Sequence, residues 1–415
     1  MRRIAIIGAG QSGLQLGLGL LAQGYEVSMV SNRPADAIRA GRVMSSQCMF
    51  GAALQTERDL GLNQWDGECP PVEGISLVVP NPDGGGKLID WAARLDRPAQ
   101  SVDQRLKVPA WLDLFVQRGG RLTIAEADVA MLDRLAASHD LVLVASGKGD
   151  IARLFGHDAA NSPFAAPQRA LALTYVTGMQ PRTPFSAVCF NLIPTVGEYF
   201  VFPALTTSGP CEIMVFEGVP GGPMDCWADV TTPAQHLEKS KWILSTFLPW
   251  EAARCADIAL TDDNGILTGR FAPAVRKPVG RLPSGRPVLG LADAVVLNDP
   301  ITGQGSNNAA KAAAVYLAAI LEHGTLPFDA AWMQATFDRY WDYARWVTRW
   351  TNMLLTPPPP HVLKILVGAG QSPAAAHEFV NGFDDPRRFF PWFAEPAEAD
   401  AFLARMAERS AAMPA

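Results

Sequence analysis

The chain has 415 residues, 48% hydrophobic and 18% charged, with a net charge of −6. That is enough apolar material for a large core in more than one domain, and the acidic balance argues against nucleic acid as a main partner. The six cysteines form no C-x-x-C pair and the six histidines no H-x-x-H or H-E-x-x-H cluster, so neither a metal site nor a disulfide framework is expected. No stretch reaches the roughly 18 apolar residues that span a bilayer. A cytoplasmic protein that does not enter the membrane is the expectation.

The N-terminal stretch RRIAIIGAGQSGLQLGLGLLAQGYEVSMVSN reads as strand, turn, helix, strand. Ile4–Ile7 is short and β-branched, as a buried parallel strand should be. Gly8, Gly10 and Gly13 complete a G-x-G-x-x-G turn. In such a turn the first glycine permits the bend, the second admits a pyrophosphate, and the third lets helix pack on strand. Helix Leu14–Ala22 and strand Tyr25–Val30 follow. The acidic residue expected about 20 positions after the loop to hold a ribose is missing. Ser31, Asn32 and Arg33 stand there, and Asp36 comes too late. Arg33 is the candidate for the adenosine end.

Leu141–Ala145 reads as another strand, ending in a turn with Gly147 and Gly149. Arg182–Glu217, rich in Phe, Val and Ile, reads as β-hairpins. Val288–Leu291 is a strand that ends at Asp293. Next comes NDPITGQGSN (Asn298–Asn307) with an Ala/Val-rich helix behind it. This is a second glycine turn at a helix start, where backbone N–H groups attract negative charge. Asp329–Leu355 interleaves seven aromatic residues with Arg339, Arg345 and Arg349. Its helical spacing predicts an amphipathic helix packed on the core and not a nucleic-acid face. KILVGAGQSP (Lys364–Pro373) nearly repeats the first loop. Pro373 replaces its third glycine, however, and too few residues follow for a strand–helix–strand unit, so a turn between helices is expected.

The order of these motifs resembles the flavoprotein monooxygenases of the p-hydroxybenzoate hydroxylase type. Gly8/Gly10/Gly13, Ala145-Ser146-Gly147 and Asp293 match, with Ala292 where glycine is usual. That departure costs little unless φ is positive there. The resemblance narrows to the two-component styrene and indole monooxygenases. It rests on DPITGQGSN (Asp299–Asn307), SVDQR (Ser101–Arg105), NSPF (Asn161–Phe164), PQRAL (Pro167–Leu171) and TRWTN (Thr348–Asn352).

That resemblance implies a mixed α/β fold. Its Rossmann-like FAD-binding domain would be discontinuous (residues 1–70, 96–165 and 270–325). An inserted antiparallel β-sheet substrate domain would take 71–95 and 166–269, and C-terminal helices 326–415. The cofactor-binding set would be Gly8, Gly10, Gln11, Ser12, Gly13, Arg33, Arg42, Gly147, Asp293, Pro300, Gly303, Gln304, Gly305, Ser306 and Asn307. One FAD would span both glycine loops, which accounts for the second. A separate NADH-dependent reductase would supply reduced FAD by diffusion. Reaction with O2 would give a C4a-hydroperoxide, whose oxygen passes to a double bond without any protein acid or base. Oligomeric state is left open, a homodimer included.

The family's styrene branch carries Asn, Val and His after the flavin-proximal arginine, and its indole branch Ser, Gln and Met. Counted from Arg42, this chain has Ser45, Gln47 and Met49. It also has Val72, Ile75 and Ala99 where the styrene branch tends to carry Tyr, His and Ser. With Pro300 these form the expected pocket. They point to epoxidation of the C2=C3 bond of indole, with styrene-type alkenes and aryl sulfides as slower substrates. The alternatives are a styrene monooxygenase proper, a single-component NAD(P)H-dependent aromatic hydroxylase and a redox-silent flavin module. A flavin-dependent halogenase is disfavoured because no W-x-W-x-I-P motif is present.

Overall fold

The computed structural model describes residues 2–83, 86–147 and 149–411, so the last four residues of the expected C-terminal region lie outside it. One sheet has six strands, in the order Val279–Arg281, Pro287–Gly290, Leu141–Val144, Arg3–Ile7, Glu26–Ser31 and Arg121–Ile124. All its pairings are parallel except that of the first strand. Ile4, Ile6, Leu143 and Val144 are fully buried, because helices cover both faces and leave no wet side to alternate toward. Helix Gln11–Ala22 lies close on this sheet. A Cβ on Gly13 would stand 2.0 Å from the Gly8 carbonyl oxygen, so no side chain fits at that position.

The second sheet runs Ala259–Leu260, Ala170–Thr177, Gly209–Gly218, Gly197–Thr206, Ala187–Ile193, Val72–Pro80 and Lys87–Ala99, with Ile266–Gly269 also on Ala170–Thr177. It is antiparallel except between Val72–Pro80 and Ala187–Ile193. Its hairpin strands Ala187–Ile193, Gly197–Thr206 and Gly209–Gly218 occupy the expected Arg182–Glu217 stretch, passing its end by one residue, and Ala170–Thr177 extends the sheet before it. Alternation sends Phe190, Phe200, Phe202 and Val215 to one face and Tyr199, Val201, Met214 and Phe216 to the other. Both faces are buried. Helices of the C-terminal region cover the first, and helix Pro233–Phe247 covers the second.

Helix Ala330–Leu354 buries Met333, Phe337, Tyr340, Val347 and Trp350 and leaves Arg339, Arg345 and Arg349 outside, as its amphipathic spacing predicts. The second G-A-G-Q stretch is helical, the end of Pro360–Gln371. The helix break comes at Ser372, which caps helix Pro373–Asn381. A Cβ on Gly368 would meet Leu403 at 2.6 Å; that glycine serves helix packing. No described helix is long and apolar enough to cross a membrane.

Candidate flavin and substrate site

Three loops meet where adjacent parallel strands end. Gly8 follows Arg3–Ile7 and has φ +109°. A Cβ there would approach the backbone of Ala145 and Ser146 at 3.1–3.3 Å. One on Gly147 would stand 3.1 Å from the Asp293 carbonyl oxygen. The glycines bring the backbones of all three loops into contact. Asp293 keeps access to solvent at this meeting point, and enclosure by the surrounding protein pushes its carboxyl up to about 6. Ala292 sits at φ +51°. The alanine-for-glycine departure therefore falls on a left-handed residue and carries strain, contrary to the small cost expected of it.

The expected cofactor residues divide into two groups. Ser12, Arg42, Asp293 and Ser306 spend no side-chain hydrogen bond on the described residues. A Cβ on Gly10, Gly303 or Gly305 would meet nothing within 4 Å. These present open cradles and uncommitted polar groups. The other group is engaged internally. Gln11 Nε2 donates to Glu57 (2.8 Å), Arg33 reaches Met44 Sδ (3.0 Å), and Gln304 Nε2 donates to the Phe383 carbonyl (2.9 Å). Asn307 accepts from the Phe50 N–H (2.8 Å) and donates to the carbonyls of Cys48 (2.8 Å) and Gly303 (3.0 Å). It clamps segment 48–50 to the start of helix Gly305–His323. Buried Asn308 has no partner for either amide atom among the described residues, nor do Oε1 of Gln11 and Gln304. Orphaned polar atoms beside open glycines fit a polar, planar ligand such as a flavin. A carboxylate also stands by the end of strand Glu26–Ser31, supplied by a neighbouring segment: Glu126 accepts from Asn32 (3.2 Å). Spacing along one strand cannot reveal it.

Next to Gly303 the first face of the eight-stranded sheet encloses an apolar pocket. Ser46, Cys48, Phe50, Val188, Phe190 and Phe200 line it with Pro300 and Thr302. Its free volume is about 20 Å³, roughly the room of one water molecule. Of the expected pocket residues, Pro300 alone lines it. Ser45 Oγ donates to Gln47 Oε1 (2.7 Å), Gln47 Nε2 reaches Tyr175 Oη (3.4 Å), and the Tyr175 hydroxyl donates to the Ser45 carbonyl (2.7 Å). Met49 packs on Ala53, Leu54 and Ala310, with Sδ 3.3 Å from Lys107 Nζ. Val72 pairs with Ala99 in the sheet, and Ile75 pairs with the pocket residue Val188. Segment 45–50 thus presents its even-numbered members to the pocket and turns its odd-numbered ones away.

The motifs that carry the resemblance are mostly joints. In SVDQR, buried Arg105 bonds Asp103 (2.9 Å), Thr206 (3.0 Å) and both oxygens of Asp262 (2.9 and 3.0 Å). It ties the helix that begins at Gln104 to the eight-stranded sheet. In PQRAL, Arg169 pairs with Glu198 through two bonds (2.6 and 2.9 Å). In TRWTN, Thr348 reaches Asn298 (3.0 Å) and Thr351 reaches Thr302 (2.8 Å), pinning the start and the middle of the second glycine loop. A further buried pair, Lys107–Glu57 (2.7 Å), was not legible at all, since nothing in the spacing of two isolated charges marks them as partners.

A family model described as "Styrene monooxygenase A putative substrate binding domain" matches residues 147–254. Styrene monooxygenase StyA of Pseudomonas fluorescens is 30% identical over 404 residues, covering 95% of this chain and 96% of that protein. A second StyA, from Pseudomonas sp, is 30% identical over 420 residues, 99% and 100% of the two chains. Among solved structures, the flavin-dependent brominase Bmp2 superposes with a TM-score of 0.65 at 14% identity over 99% of each chain. A flavoprotein/dehydrogenase from Cytophaga hutchinsonii gives 0.69 at 13%, over 98% of this chain and 99% of that one. Those two likenesses concern the fold alone. Taken with the relatives that align nearly end to end, the site marks this chain as a member of the StyA styrene monooxygenase family, a flavin-dependent monooxygenase.

Proposed function

We propose that this monooxygenase accepts reduced FAD from a separate NADH-dependent reductase and epoxidises the C2=C3 bond of indole, with styrene-type alkenes and aryl sulfides as slower substrates. When bound, the flavin supplies the oxygen-activating chemistry; the chain binds, orients and keeps water out. Gly8, Gly10, Ser12 and Gly13 would take the pyrophosphate, Asp293 the ribitol, and the N–H groups at Gly303–Ser306 the pyrimidine edge, where negative charge is favoured by the helix terminus. Arg42, exposed and with no carboxylate partner among the described residues, would add a cation near the flavin or its phosphates. The three-segment division of the flavin-binding part, with an inserted sheet, belongs to the same proposal.

The observation that carries the substrate assignment is the polar segment Ser45–Gln47 beside a mostly apolar pocket. Ser46 lines the pocket, and its hydroxyl makes no side-chain hydrogen bond among the described residues. It can accept the N–H of indole, while Ser45, Gln47 and Tyr175 brace the backbone behind it. A site with a placed acceptor rewards a substrate that carries the matching donor. Seating a bicyclic ring requires the cavity to widen, since as it stands it holds about 20 Å³.

The experiment mixes purified protein, FAD and NADH without a reductase and follows the flavin spectrum. No bleaching is expected, and oxygenated product should form once a generic flavin reductase is added. Bleaching by NADH alone would replace this reading with a single-component hydroxylase. Absence of product from reduced FAD would replace it with a redox-silent flavin module.

A further inference from the structure

Phe383 and Asp384, in the C-terminal region, reach the pocket wall and the second glycine loop at once. Helix Gly51–Asp59 starts directly after the wall residue Phe50 and has no side-chain cap of its own. The first N–H groups of a helix need acceptors from outside it. Asp384 supplies one from 332 positions further along the chain: its Oδ1 accepts from the Ala52 N–H (2.7 Å), where the helix dipole favours a carboxylate. Its Oδ2 accepts from Arg97 (2.7 Å) on strand Lys87–Ala99. The Arg97 side chain runs across Gly51, where a Cβ would stand 2.6 Å from its Nε. The Asp384 carbonyl accepts from Lys311 Nζ (2.7 Å) on helix Gly305–His323, and Lys311 also donates to Tyr343 Oη (2.7 Å). The Phe383 carbonyl holds Gln304 of the second glycine loop.

The Phe383 ring adds packing to these polar contacts. Its centroid lies 5.3 Å from that of Phe190, 5.8 Å from Phe50 and 4.8 Å from Trp350. Phe383 is buried. It touches two rings that line the cavity without lining it itself, so it stands behind them. The segment has little room to back away. Asn381 accepts from the Asp96 N–H (2.8 Å), and a Cβ on Gly382 would meet the Phe389 ring at 2.5 Å. Phe50 is thus held from both sides: Asn307 accepts from its N–H, and Asp384 fixes the helix turn that follows it. In a close-packed interior a wall ring can retreat only where the ring behind it yields.

We infer that Phe383 and Asp384 are positioning residues that set substrate size. Asp384 holds Phe50 at the cavity, and the Phe383 ring limits how far Phe50 and Phe190 withdraw when a substrate enters. The inference rests on the reading of this cavity as the substrate pocket. The Asp384–Arg97 pair is half-exposed on the arginine side and contributes little. The bond to the helix start is the one that matters, and asparagine can supply it.

The test measures kcat and KM, with reduced FAD saturating, for styrene and for the larger alkene 2-vinylnaphthalene. Phe383→Leu should shift the preference toward 2-vinylnaphthalene about tenfold, the low end of what fit in an apolar pocket commands. Asp384→Ala should raise KM for styrene roughly fivefold, the worth of one helix cap. Its kcat should hardly change, because the bonds to Gln304 and Lys311 are made by backbone carbonyls and survive. Asp384→Asn should behave as wild type. A purely structural role would lower the melting temperature without moving the size preference or separating KM from kcat.

A wild-type size preference in Phe383→Leu overturns the inference, and so does an Asp384→Asn variant as impaired as Asp384→Ala. Should Asp384→Ala fail to fold, Phe383→Leu decides alone. Phe190→Leu alters the wall itself and separates the two readings. If it shifts the size preference while Phe383→Leu does not, only the positioning role fails. If neither shifts it, the cavity is not the substrate pocket and both readings fall.

Discussion

Ala292 and Ser46 show what single residues decide. A left-handed alanine costs about 1–2 kcal/mol relative to the ordinary helical region, and a β-branched residue there is an outlier. Ala292→Val should therefore melt below Ala292→Gly, by about 1–3 kcal/mol in stability. Equal midpoints in thermal denaturation would mean that the backbone there relaxes freely. The substitution of alanine for glycine was visible in the sequence, but the sign of φ was not, because that depends on how the turn meets Gly147. The pocket residues carry a similar lesson. Motif comparison pointed to Ser45, Gln47 and Met49, while the residues of that segment that line the cavity beside Gly303 are Ser46, Cys48 and Phe50. An extended segment changes face at every residue, and its anchoring by Asn307, by the Tyr175 hydroxyl and by the backbone of Gln100 sets which face looks inward. Ser46→Ala should lower kcat/KM for indole about tenfold or less, in line with one neutral hydrogen bond, and leave styrene nearly unchanged. Equal losses on both substrates would remove Ser46 from N–H recognition. If Gln47→Val combined with Ser45→Asn leaves the indole-to-styrene ratio intact, those two residues only brace the segment.

Among the elements, the strand–turn–helix start, the strand before Gly147, the hairpins of the second sheet and the long amphipathic helix were all legible, because each rests on local periodicity and turn chemistry. The contacts that join elements were not. Arg105 appears in the sequence as one residue of a short motif, while its partners Thr206 and Asp262 lie far along the chain and mark no spacing. Its planar fork meets three side chains at once, which a lysine cannot imitate. Arg105→Lys keeps the charge but loses the additional bonds of the fork, and should cost roughly 1.5–3 kcal/mol. Denaturant melts followed by tryptophan fluorescence measure it, and a loss below 1 kcal/mol would demote this joint to a bystander. Asn307 holds the two elements that flank the pocket. Asn307→Ala leaves the buried Phe50 N–H and Cys48 carbonyl unpaired, on the order of 3 kcal/mol. It should weaken substrate selectivity more than flavin binding. If flavin binding alone suffers, the clamp belongs to the cofactor and not to the pocket.

The whole molecule interleaves two sheets along the chain, so that one ligand site can touch its beginning, middle and end. Gly305→Val should abolish oxygenation and weaken flavin binding while the protein stays folded; wild-type turnover in that variant would remove the second loop from the site. Strand Glu26–Ser31 brings no carboxylate of its own to a ribose, and the start of helix Gly305–His323 favours added negative charge. The protein should purify nearly colourless and bind reduced FAD more tightly than oxidised FAD, which equilibrium titration of both forms decides.

Which double bond receives the oxygen is tested most directly by kcat/KM for indole and for styrene, measured in parallel with reduced FAD saturating and oxygen supplied. The expected result is a higher value for indole, with blue indigo forming in air from the indoxyl that follows epoxidation; a higher value for styrene would contradict it.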